Sequence, residues 1–176
     1  MITRASPSAS PAGLAVEILV EAGDWQAPRS LRTLAQGAIA AALKATGRRL
    51  IAPAEVAVIF SDDRHVRALN RRFRSKDKST NVLSFPAAAP LSGAYGPLLG
   101  DIVLGHETVK AEADDQGIPL ADHLRHLIVH GFLHLLGYDH SVEKEAVAME
   151  RLETFILNGL GVPNPYAEPR SPPPRR

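Results

Sequence analysis

The 176-residue chain contains no cysteine, which excludes disulfides and thiolate metal sites alike. Any transition metal must then be bound by imidazole and carboxylate. Long apolar runs are missing too. The longest are interrupted by Glu17, Asp101 or His130, and none reaches the roughly 18 uninterrupted apolar residues that crossing a bilayer requires. No membrane partner is expected. The N-terminal stretch carries one arginine and a short apolar run broken by Glu17, a poor secretory signal, so the cytoplasm is the expected compartment. A strong charge of either sign is also absent. The formal net charge is +1, which argues neither for nor against a nucleic-acid partner. Self-similarity at a period of roughly 20–50 residues is lacking, which argues against solenoids and propellers.

What is present suits one compact domain: 45% of the residues are hydrophobic, enough for a single core in a chain of this length. The first residues are rich in Ser, Pro and Ala and the last in Pro and Arg, compositions that cannot bury enough apolar surface to offset the entropy of ordering. The expected organisation is a flexible tail over 1–13, a folded domain over 14–162 and a flexible Pro/Arg-rich tail over 163–176.

Within the domain, Leu14–Val20 and 55–60 (EVAVIF) read as strands. Between them Pro28–Thr46 places Leu31, Leu34, Ala35, Ala38, Ile39, Ala42 and Leu43 at helical spacing, with Gly47 as a C-cap. Ser61 or Asp62 can cap a helix through His65, Val66, Leu69 and Phe73. Two more short strands follow at 81–85 (NVLSF) and 99–104 (LGDIVL), and three helical stretches occupy the C-terminal third, broken at 117–119 and 137–139. The expected fold class is α/β (α+β), a small mixed sheet of about four strands covered by helices. Strand order is not readable from the pattern.

The residues that carry chemistry lie in HGFLHLLGYDH, 130–140. On a helix, His130 and His134 project from one face a turn apart, close enough to share an ion. Gly137 can then adopt a left-handed conformation and turn the chain so that His140 folds back to the same point. Three imidazoles leave a position open for water, the mark of a catalytic rather than a closed structural zinc site. The spacing is that of the metzincin zinc peptidases, except that their general-base Glu, directly after the first His, is here Gly131. That departure counts against a peptidase. Asp139 could orient a ligand ring and is given no catalytic role. Met149 sits in the helical pattern VAMERLETFIL as a core residue. Thr80, Asn81 and Ser84 could line the site or simply end a strand. Of the other histidines, His65, His106 and His123 sit in ordinary polar surroundings, and His126 is set aside as a fourth ligand because it would close the site.

HGFLHLLGYDH resembles the hallmark of the YbeY family of bacterial metal-dependent endoribonucleases, and LNRRFRSKD (69–77) with TNVLSFP (80–86) and LGDIV (99–103) resemble two further signatures. Over about residues 55–160 the blocks occur in the family's order. The resemblance implies that His130, His134 and His140 hold one zinc ion. It also implies that Arg74 is a catalytic residue near it, suited to contacting a phosphate. The activity implied is single-strand-specific cleavage of RNA in ribosomal RNA maturation and ribosome quality control, with ribosomal proteins or the small ribosomal subunit as partners.

Residues 62–78 fit an RNA partner. Arg64, Arg67, Arg71, Arg72, Arg74, Lys76 and Lys78 stand against Asp62, Asp63 and Asp77, an excess of four positive charges that, near a metal, reads as a phosphate track. Two other functions stay open on the residues alone: a zinc-containing ribosome-assembly or RNA-binding factor without nuclease activity, and a metal-dependent hydrolase of another substrate such as a peptide. The missing Glu counts against the peptide.

Overall fold

In the computed structural model, residues 13–87 and 89–167 are described; most of the two expected tails lies outside them. Strand β1 (Leu14–Val20) leads into α1 (Pro28–Thr46), then β2 (Arg49–Leu50), β3 (Ala54–Ser61), α2 (Asp63–Arg74), β4 (Val82–Pro86), β5 (Ala94–Tyr95), β6 (Leu98–Gly105), α3 (His106–Gln116), α4 (Leu120–Leu135) and α5 (Glu143–Gly159).

The main sheet has four strands in the order β1-β3-β6-β4. β1, β3 and β6 run parallel, and β4 pairs antiparallel with β6 at the edge. The mixed four-stranded sheet expected from the sequence is therefore present. The reading missed the small pair of β2 with β5, because two residues are too short to show a period. Parallel pairing needs a long crossover, which α1 supplies between β1 and β3.

The sheet is covered on both faces. Val56, Val58 and Phe60 of β3 join Ile102 and Leu104 of β6 in one core with Leu31, Ala35 and Ile39 of α1 and Leu124, Ile128 and Phe132 of α4. Val66 of α2 packs with Leu83 and Val103 in a smaller cluster. Met149 is buried in the larger core, as its pattern implied. Asp62 accepts the His65 amide and caps α2, and α4 starts behind Pro119. The first residues after α5 dock on it: the Thr154 hydroxyl donates to Asn164, and the Tyr166 hydroxyl donates to Glu153.

Candidate metal centre

Helix α4 runs through the core and is apolar on most sides; Leu124, Leu127, Ile128, Val129, Phe132, Leu133 and Leu135 are all buried. The half-buried His130 and His134 interrupt that surface as one polar stripe, and their Nε2 atoms face one another at 3.1 Å. Two nitrogens bound to one tetrahedral ion at 2.0–2.1 Å stand about 3.3 Å apart. The helix ends in a Schellman turn. The Tyr138 amide donates to the Leu133 carbonyl, the Gly137 amide donates to the His134 carbonyl, and Gly137 has φ +79°. The chain reverses and brings His140 back, so that donor nitrogens of all three rings lie within 4.8 Å of one another. His140 is exposed, so the site opens to solvent on that side.

The electrostatics suit a cation. Burial, helped by the neighbouring His130 and His140 rings, lowers His134 to about 4, against a weaker pull from a hydrogen bond to the Tyr138 backbone. It is neutral at pH 7, as a metal ligand must be. His130 Nδ1 donates to Glu153 at 2.8 Å, which leaves its Nε2 lone pair facing the site. Burial opposes ionisation of Glu153, but hydrogen bonds from His126, His130 and Tyr166 outweigh it and hold the carboxyl at about 2. The three imidazoles therefore fit a borderline divalent ion such as zinc.

Glu153 is the residue the sequence reading missed. It sits among Glu145, Glu150 and Glu153 of a helix that looks amphipathic, and only its phase with the buried Met149, Ile156 and Leu157 marks it as inward-facing. Asp139, weighed above as the orienting carboxylate, instead accepts the His140 amide and the Ser141 hydroxyl and so braces the turn. His126 donates to Glu153 at 3.0 Å, which places it behind His130 and outside the trio of converging rings. His106 and His123 are buried, a correction to the polar surroundings expected for them. His106 packs edge-on to Trp25 and His123 bonds Glu112.

Position 131 also has a structural account. Gly131 is where α4 meets the sheet, and an added Cβ would stand 2.9 Å from Ile102 Cγ2 and 3.1 Å from Ser84 Oγ. A glutamate there would have to push aside the Ile102 and Ser84 side chains, so the position is too tight for the metzincin base as the core is packed.

Arg74 ends α2 with its guanidinium Nη2 donating to the Ser84 carbonyl at 3.4 Å. The Ser84 hydroxyl in turn donates to the Gly131 carbonyl at 3.2 Å, so one strand residue joins the arginine to the histidine-bearing helix. Asn81 instead turns to α3, where it donates to Glu112, and Thr80 lies beside it. Along α2, Arg64, Arg67 and Arg71 follow one stripe and with Arg72 and Asp77 line a shallow surface cavity. Arg67 is held by a two-pronged bond to Asp77.

Comparison with known proteins gives the family of the chain. The family model described as Endoribonuclease YbeY matches residues 19–161. A protein from Methylocella silvestris named Endoribonuclease YbeY is 47% identical over 154 residues, covering 88% of this chain and 86% of that one. Its namesake from Rhodopseudomonas palustris is 51% identical over 153 residues, covering 86% and 80%. Another from Rhizobium meliloti is 46% identical and covers 88% and 96%. A solution structure from Thermotoga maritima, 23% identical, shares the fold at a TM-score of 0.52 over 92% of this chain and 99% of that one. The chain belongs to the YbeY endoribonuclease family.

Proposed function

We propose that this chain is a zinc-dependent endoribonuclease that cuts single-stranded RNA during ribosomal RNA maturation and ribosome quality control, in the cytoplasm. One zinc ion per chain sits on His130, His134 and His140. The observation that carries the reading is the convergence of three imidazoles at a solvent-open site in a chain of an endoribonuclease family. The preference for single strands, the ribosomal target and the small ribosomal subunit or its proteins as partners follow from the family resemblance. Among the described residues, no helix is long and apolar enough to cross a membrane.

Bound zinc supplies Lewis acidity to a water and to a phosphoryl oxygen. The protein supplies the rest. His134 enters as a neutral donor set by its burial, His130 stands one turn before it on the same helix with its Nε2 facing the same point, and His140 closes the trio from a turn that Gly137 and Asp139 hold in place. Arg74, exposed at the end of α2 and tied to the site through Ser84, offers its planar fork to the charge that builds on the phosphoryl oxygens. The arginines of α2 continue that positive surface and hold the RNA backbone.

The test is cleavage of a precursor ribosomal RNA fragment by the purified zinc-loaded chain beside His134→Ala taken through the same steps. Cleavage by the parent alone supports a metal-centred nuclease. Equal cleavage by both means a contaminant, and cleavage by neither favours the assembly factor.

A further inference from the structure

We infer that Glu153 is the positioning residue of the metal centre and that Tyr166, from the segment after α5, holds it in place. The histidine trio would then be governed by a side chain on a different helix and by a residue beyond the last helix.

The argument begins with burial. Glu153 is 1% exposed, and an ionised carboxylate removed from water is costly unless its oxygens are satisfied. Here they are. Oε1 accepts from His130 Nδ1 at 2.8 Å, and Oε2 accepts from His126 Nε2 at 3.0 Å and from the Tyr166 hydroxyl. A carboxylate in that setting only accepts, so it selects the His130 tautomer with hydrogen on Nδ1. That tautomer directs the Nε2 lone pair to the point where His134 Nε2 lies 3.1 Å away. Carboxylates behind metal-bound histidines act in this way, fixing the ring and raising its basicity.

The two outer partners give Glu153 its direction. His126 stands one turn before His130 on α4, so the pair grips the carboxylate from one helix. Tyr166 reaches the same oxygen, Oε2, from the segment after α5. Its hydroxyl lies 3.3 Å from His126 Nε2, and its ring packs edge-on to the His126 ring with centroids 5.6 Å apart. The turn that carries Tyr166 is itself fastened, because Asn164 accepts both the Thr154 hydroxyl and the Tyr166 amide. The residues after α5 are thus part of the support of the metal site.

The inference rests on the metal reading of the trio, and the experiment separates the two. Zn²⁺ affinity is measured on the full chain by competition with a chromophoric chelator for wild type, Glu153→Gln and Tyr166→Phe. Ring ¹⁵N shifts of His130 are recorded in the metal-free wild type. Glu153→Gln should weaken Zn²⁺ binding about 10–100-fold. Tyr166→Phe loses a single hydroxyl from a half-exposed ring and should weaken it by up to about tenfold. The wild-type spectrum should show His130 protonated on Nδ1. A His130 protonated on Nε2 overturns the positioning role without appeal to any variant. A Glu153→Gln protein that binds Zn²⁺ as tightly as wild type does the same, and unchanged affinity in Tyr166→Phe removes the tyrosine from the device. If wild type itself binds no Zn²⁺, it is the metal reading that fails.

Discussion

An imidazole can serve as a ligand only if it is neutral and one nitrogen keeps its lone pair, so each histidine here is defined by what stands behind it. The spacing 130, 134, 140 was legible because helical geometry and a following glycine leave few other outcomes. The orienting carboxylate was not, since a buried Glu on α5 differs from its exposed neighbours Glu145 and Glu150 only in phase. His134 carries a pH prediction. Its half-buried ring lies at about 4 against 6.5 when free, so between those values the unfolded chain binds a proton that the folded chain refuses. Stability of the metal-free protein therefore falls as pH drops through that window. Urea titrations at about pH 7 and about pH 4.5 should show a smaller loss for His134→Asn than for wild type; equal losses would mean that the ring is not held neutral. For Arg74, the expectation is split between binding and turnover. Arg74→Ala should lower turnover about 10²–10³-fold, as removal of a transition-state donor does, while Zn²⁺ content measured by emission spectrometry stays at the wild-type level. Full turnover at full metal content would end its catalytic role.

At the scale of elements, periodicity found every strand of the main sheet and every helix, because each is long enough to repeat its pattern against the core. It could not find β2 and β5, nor the reversed direction of β4, since direction is set by pairing and leaves no trace in one strand. The end of α4 is where an element shapes the site most directly. Gly137 sits at φ +79° with the Tyr95 hydroxyl 3.2 Å from where a Cβ would stand. Alanine there costs about 1–2 kcal/mol for the left-handed backbone, and it should also weaken Zn²⁺ binding by shifting His140; chemical denaturation and chelator competition read the two effects separately. Helix α2 makes a different prediction. Arg64 and Arg71 project from one stripe into solvent, while Arg67 is engaged by Asp77. Each phosphate contact on a single strand contributes about 0.7 to the log–log slope of binding against salt through counterion release. Arg64→Gln with Arg71→Gln should thus flatten the salt dependence of single-stranded RNA binding by about 1.4 in that slope. Filter binding at several salt concentrations decides it, and an unchanged slope would leave the helix as a merely solvated face.

For the whole molecule the question is whether the metal holds the fold or the fold holds the metal. Small zinc modules unfold when stripped, because they have no other core. Here His130 and His134 rise from a helix whose other faces are packed against α1 and the sheet, and the Gly137 turn is closed by backbone bonds. His140, exposed on the turn, rests on the His130 and His134 rings and on the bond of its amide to Asp139. Removal of metal should therefore leave the domain folded but less stable. With free Zn²⁺ at about a thousand times its Kd, bound metal adds about 4 kcal/mol. For a chain of this size that corresponds to a fall in Tm of about 8–16 °C on chelation. Circular dichroism should show unchanged helix content in chelator at 25 °C and a lowered midpoint on heating, restored by added Zn²⁺. Loss of the helical signal at 25 °C would make the ion structural and shift the balance toward a scaffold, whereas a folded apo-protein that binds RNA and fails to cut it would place the ion in the chemistry.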